Sequence, residues 1–189
     1  MPQLSKREVV IDSAIVLFKK FGINSTGVEH IIKEANVSKK TLYNHFKTKD
    51  DLVLASLRKD DEVGRNALMR YAEQASDDPK LQILAIFDFY NLWFNSASFN
   101  GCLFTNSAGE ISEENAAGRR ICAEHKRLIQ QYIENLAIKA GIENPKETAL
   151  KLNLLLEGSI VYAYVMDKKS AALEAKKIAA LFVTADIES

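Results

Sequence analysis

Apolar residues recur three and four positions apart along most of the chain, the spacing of one face of an α-helix rather than the alternation of a strand. The first such stripe is Val10, Ala14, Leu17, Phe18 and Phe21. Ser5 with Glu8 forms a capping box ahead of it, each side chain meeting a backbone N–H that the first turn leaves open. Gly22 is placed to end it as a left-handed C-cap. Thr26 with Glu29 forms a second box, ahead of Val28, Ile31, Ile32 and Ala35. Asn36-Val37-Ser38 then reads as a tight turn, because Asn tolerates the left-handed conformation and Ser caps a following helix. That third helix is short, from Lys39 to Phe46. Thr48 with Asp51 opens a fourth, running to about Ala75.

The same reasoning carries to the C-terminus. Asp78-Pro79 starts a helix over 79–96, with Pro in the first turn. It is apolar on two sides, Ile83, Phe87, Tyr90 and Phe94 on one and Ile86, Phe89 and Trp93 on the other, so it needs neighbours on both. A break at 98–101 precedes a short element over 102–109. Ser112 begins a long helix to about Ala140, stopped by Gly141. Asn144-Pro145-Lys146-Glu147 forms a further capping box, and its helix reaches about Asp167. Ser170 caps the last helix, ending near Ala185. With no strand alternation and no hairpin signal, the predicted class is all-α.

The last two helices carry more apolar surface than one subunit core uses. Leu152, Leu156, Ser159, Ala163 and Met166 form one row, and Leu155, Gly158, Tyr162 and Val165 a second. One row serves the core and the other a second copy of the chain. The first row, with Ile178 and Phe182, is assigned here to the partner, since Ser159 and Ala163 allow close helix approach. Glu157 is the one charge between Lys151 and Asp167. Burying it unpaired is costly, which puts it at a wet rim, against a partner or against a ligand.

Charge changes the picture by its distribution. The formal net charge is zero. Residues 1–50 hold nine Lys and Arg against five Asp and Glu, a net of +4, and residues 51–189 sixteen against twenty, a net of −4. A basic head on an acidic body draws anions to one end. Domains are therefore expected at 1–50 and 51–189. Cys102 and Cys122 have no CxxC partner, which suits two free thiols in a reducing compartment. Either is a redox sensor only if its thiolate is stabilised. The N-terminus has no apolar signal region, and no apolar stretch reaches the roughly 20 residues of a membrane span. A cytoplasmic protein is expected. His30, His45 and His125 are scattered, and no nucleophile elbow, zinc-protease or phosphate-loop pattern occurs. No enzyme activity, metal or cofactor is expected.

Residues 26–46 are two short helices joined by a three-residue turn. In this arrangement one helix braces on the duplex backbone while the second lies in the major groove. The second here is two-faced. Leu42 and Phe46 point inward with Val37, and Lys40, Tyr43, Asn44 and Lys47 lie opposite with no acidic neighbour. Lys39 and Thr41 add donors at its start. Lysine reaches guanine or phosphate, Asn makes a paired contact to adenine, and a Thr methyl meets a thymine methyl. The start of the helix near Thr26 offers amides to phosphate.

The run Val37-Ser38, then Thr41-Leu42-Tyr43-x-His45-Phe46, then Lys47-x-Lys49-x-x-Leu52, preceded by Ala14-x-x-Leu17-Phe18-x-x-x-Gly22, resembles the DNA-binding signature of TetR-family regulators. Gly101-Cys102-Leu103-Phe104 with Ala108-Gly109-Glu110 resembles a motif of some members. The resemblance covers roughly the first 55 residues. Asn36 and Ile32 depart from it by standing where Gly and Ala are common. It implies an N-terminal three-helix helix-turn-helix domain followed by a helical ligand-binding and dimerisation domain. It also implies a bacterial homodimer on double-stranded DNA with a palindromic operator, and a repressor released by a small-molecule effector. Lys39, Lys40, Thr41 and Asn44 would face bases, and Tyr43, His45, Lys49 and Thr26 the backbone. The effector would lie among Phe87, Tyr90, Trp93, Phe94, Phe104 and Tyr132, oriented by Asp88 and Asn91. The alternative is an activator or architectural DNA-binding protein with no small-molecule input.

Overall fold

A computed structural model of the chain describes residues 5–111 and 115–184. Among them lie nine helices and no strand: α1 (Lys6–Phe21), α2 (Val28–Ala35), α3 (Lys39–His45), α4 (Lys49–Ala75), α5 (Pro79–Phe94), α6 (Leu103–Glu110), α7 (Ala116–Lys139), α8 (Pro145–Val165) and α9 (Ala171–Thr184). The all-α expectation and the order of elements hold. None of the described helices is long and apolar enough to cross a membrane.

Caps account for most boundaries. Ser5 Oγ accepts from the Glu8 amide at 3.2 Å. Thr48 and Asp51 exchange amide-to-side-chain bonds at 3.0 Å each, a full capping box for α4. Asp78 accepts from the Lys80 amide, with Pro79 in the first turn of α5. Gly22 ends α1 at φ 83° and ψ 164°. This is not the left-handed helical well expected of it but a more extended region that essentially only glycine enters.

Two expected caps differ. Thr26 does not cap α2, whose N-cap is Gly27. The Thr26 hydroxyl instead donates to the Gly22 carbonyl at 2.7 Å, and the residue is fully buried. Asn144 precedes α8 with Pro145 in place, yet makes no side-chain capping bond. Its φ of −118° and ψ of 68° are not the extended geometry that aims a cap oxygen at the first turn. Ser112, the expected start of α7, lies outside the described residues, as does Ala185, the expected end of α9. The described α7 opens instead with Asn115 Oδ1 accepting from the Gly118 amide at 3.0 Å. Two helices end early. Ser96 folds back on the Trp93 carbonyl beyond α5, and Asp167 takes φ 51° just beyond α8.

The chain forms two compact units, Met1–Val63 with Cys102–His125, and Gly64–Gly101 with Lys126–Ser189. This differs from the division at residue 50. The first half of α4, all of α6 and the first half of α7 belong with the N-terminal helices.

In the first unit, α1 packs on α2 and α3 around Val10, Ile11, Ala14, Ile31, Leu42 and Phe46. Lys59 of α4 reaches both Glu8 and Asp12 of α1, at 2.6 and 2.7 Å. The Lys59 hydrogen bond holds the Glu8 carboxyl below the usual range. Burial alone would lower Lys59, but its bonds to Asp12 and Glu8 outweigh this and raise it. Asp61 of α4 meets His125 of α7 at 2.8 Å, and the Phe104 ring stacks on that imidazole at 3.7 Å. Cys102 and Cys122 are buried in this unit, and neither forms a disulfide.

In the second unit, α9 packs on α5 and on α8. Two ion pairs tie its helices, Lys176 to Asp88 at 2.6 Å and Lys126 to Glu157 at 2.7 Å. Glu157 thus sits at a partly exposed position with a cation in its own subunit.

Candidate nucleic-acid interface

The α2–α3 pair is built from the inside out. Ile31, Ala35, Leu42 and Phe46 are buried and fix both helices to the head. Between them Asn36 adopts φ 49° and ψ 51°, the left-handed conformation its short polar side chain tolerates. Ser38 caps α3 by accepting from the Thr41 amide at 3.1 Å, and its hydroxyl also meets the Thr41 hydroxyl at 2.8 Å.

With Leu42 and Phe46 turned inward, the helical period turns Lys40, Tyr43, Asn44 and Lys47 outward. All four are exposed. The side chains of Lys40, Asn44 and Lys47 form no hydrogen bond or ion pair with the other described residues. His45 is also exposed, its ring tilted against Phe46. The outer face of α3 is therefore polar, cationic at Lys40 and Lys47, and not consumed by the fold.

Other expected DNA contacts have local partners. The Lys39 ammonium pairs with Glu29 of α2 at 2.7 Å, and that hydrogen bond, with the carboxylate charge behind it, raises its pKa. The Lys49 ammonium donates to the Ile23 carbonyl at 2.6 Å, leaving two of its donors over. Thr26 is corrected. Its buried side chain serves the α1–α2 loop and offers nothing to an outside ligand. One participant is absent from the expected set. Glu110, the last residue of α6, accepts from the Asn24 amide in that same loop at 2.7 Å, across 86 residues of chain. No local pattern could have paired them.

The expected effector residues are dispersed. Phe87 and Phe94 are fully buried as core. Asp88 is held by Lys176, and the Asn91 carbonyl accepts from the Asn95 amide and side chain. Tyr90 and Trp93 sit edge-on at 5.7 Å, and Trp93 packs on Phe99 at 4.9 Å. Phe104 belongs to the first unit and stacks on His125. Tyr132 is the distinctive member. Its buried hydroxyl has no partner among the described residues, and burial, with the Glu73 charge adding, pushes its pKa up to about 12. Asn153 Oδ1 of α8, missed in the sequence, is likewise buried and unpartnered.

The two apolar rows of α8 are exchanged relative to expectation. Leu152, Leu156, Ser159 and Ala163 are buried within the subunit, Leu152 and Ala163 at 0% exposure. The open row is Leu154 at 61%, Val161, Tyr162 and Val165 at 69%. Met166 and Ile178 are exposed, and Leu181 joins them. Phe182 is half-buried under the Lys151 ammonium. Periodicity alone defines two rows and is symmetric as to which meets the core.

Residues 10–56 match the family model described as bacterial regulatory proteins, tetR family. The transcriptional regulator LmrA of Bacillus subtilis is 29% identical over 159 residues, 82% of this chain and 84% of LmrA. The transcriptional regulator YhgD of the same organism is 22% identical over 94% of this chain and 93% of its own length. The TetR-family regulator SCO4454 of Streptomyces coelicolor superposes with a TM-score of 0.86 at 26% identity, over 97% of this chain and 96% of that structure.

Proposed function

We propose that this chain, which belongs to the TetR family of bacterial regulatory proteins and is a DNA-binding transcriptional regulator, represses its target as a homodimer on a palindromic operator and is released by a small molecule. The observation that carries the DNA-reading half is the outward face of α3, capped at its start, anchored by Leu42 and Phe46, and open at Lys40, Tyr43 and Asn44. Asn44 has the paired donor and acceptor that adenine requires, and Lys40 reaches guanine or phosphate. Tyr43, His45 and Lys49 hold the backbone and set register. Lys39 exchanges Glu29 for phosphate, and Thr41 turns its methyl to the groove. Two copies of α3 related by a dyad fit successive major grooves. A duplex selected by the protein from a random library should therefore carry inverted half-sites with centres about 34–36 Å apart. Selected duplexes without inverted symmetry would end this reading.

The effector half rests on the second unit. Tyr132 Oη and Asn153 Oδ1 are buried polar atoms that the described chain leaves unmet, and leaving such groups unpaired is costly. A ligand acceptor would satisfy the Tyr132 phenol, and a ligand donor the Asn153 amide oxygen. Tyr132→Phe removes one unmet group. It should leave the thermal midpoint of the free protein unchanged or slightly raised, by an amount matching about 1 kcal/mol. It should also raise the effector concentration needed for operator release. A lowered midpoint would show that the hydroxyl is already satisfied in the free protein, and the effector assignment of Tyr132 would fall.

A further inference from the structure

The loop from Gly22 to Thr26 is the hinge between α1 and the two helices that carry the DNA-reading face, and it is held from two distant elements. Lys49 at the start of α4 donates to the Ile23 carbonyl at 2.6 Å. Glu110 at the end of α6 accepts from the Asn24 amide at 2.7 Å, while the Asn24 side-chain amide donates to the Glu110 carbonyl at 3.1 Å. The Glu110 carboxylate also lies over Gly22, where a Cβ would stand 2.7 Å from one of its oxygens and 2.9 Å from the other. Gly22 is thus required twice, for its φ of 83° and for the room the carboxylate occupies.

Glu110 is placed against its own helix. It is the final residue of α6, whose last turn holds no basic residue, and a carboxylate is disfavoured at the negative end of the helix dipole. Helix α7 holds the residue that follows it, Ile111. Arg119 of α7 donates to the Ile111 carbonyl, the C-cap of α6, at 3.3 Å from both Nε and Nη2. Gly118 of α7 also lies close to Ile111, whose side-chain Cδ1 a Cβ there would meet at 2.9 Å. The end of α6 is therefore fixed by α7, and Glu110 extends that fixed point to the loop.

We infer that Glu110 is a positioning residue for DNA recognition: its paired contact with Asn24, seated over Gly22, sets the pose of α2 and α3 from the end of α6. The inference rests on the DNA-binding reading of α3. A charge-assisted bond of 2.7 Å is lost when its partners separate by much less than the diameter of one atom. A displacement of α6 is therefore felt at the hinge rather than absorbed.

The test compares Glu110→Ala, Glu110→Gln and wild type as full-length protein, by amide hydrogen exchange without DNA and by titration against one duplex selected from a random library. Glu110→Ala should speed exchange of the Asn24 amide by about tenfold or more, the scale of one charge-assisted hydrogen bond. It should weaken operator binding several-fold, with the global unfolding midpoint unchanged. Glu110→Gln retains an acceptor of the same shape and should recover most of both. Unchanged Asn24 exchange in Glu110→Ala would overturn the contact. Faster exchange with unchanged operator affinity would overturn the positioning role. Wild-type silence toward every duplex would instead sink the regulator reading, while the exchange arm still decides whether Glu110 holds the loop.

Discussion

Replacing Lys40 and Asn44 together with alanine should lower affinity for a selected operator by about two to three orders of magnitude in a gel-shift titration. One good paired contact to a base is worth about 1–3 kcal/mol of discrimination, and each 1.4 kcal/mol is a factor of ten. The loss should divide in kind. Asn44→Ala alone should relax specificity at one base position, because an adenine edge loses its reader. Lys40→Ala alone should also reduce the slope of binding against salt by about one, if its ammonium meets phosphate. The fold is not the source of either effect. Both side chains are exposed on α3 without ties to other described residues, and alanine is at least as good a helix former. Circular dichroism and dimerisation should therefore match wild type. Undiminished binding by the double variant would remove α3 from the interface.

The second large effect separates two rows of one helix. Leu154→Glu with Val161→Glu should convert the dimer to monomer in sedimentation at micromolar concentrations, while each monomer stays folded. Both positions are open to solvent in the single chain, so charge there is tolerated. In a two-fold interface each substitution occurs twice, and buried unpaired carboxylates cost several kcal/mol apiece. Operator binding should weaken with dimerisation, since the half-sites are no longer linked. Leu156→Ala should behave in the opposite way. Its side chain is 1% exposed within the subunit, and truncation should cost about 2–5 kcal/mol of folding stability with the dimer retained. If the two glutamates left a stable dimer, the partner-facing surface would lie elsewhere.

Capping chemistry and apolar period act within a few residues, so α1 with its Ser5 cap, the Asn36 turn, the Ser38 cap and the Thr48–Asp51 box were legible from the chain alone. The outward face of α3 was legible too, because turning Leu42 and Phe46 inward leaves Lys40, Tyr43 and Asn44 one direction to point. Thr26 was misread because its spacing to Glu29 is that of a capping box, and the competing acceptor, the Gly22 carbonyl, appears only when the loop folds back. Lys39 and Lys49 read as free cations until the structure supplied Glu29 and the Ile23 carbonyl.

The sequence by itself determined the helices, their order and the chemistry of the outward-facing side chains of α3, since each depends on neighbours one to four residues away. Tertiary structure alone decided which row of α8 meets the core, that Phe104 stacks on His125, that α6 joins the head, and that Glu110 holds Asn24. These depend on contacts between residues tens of positions apart, and no spacing rule encodes which distant surfaces will meet.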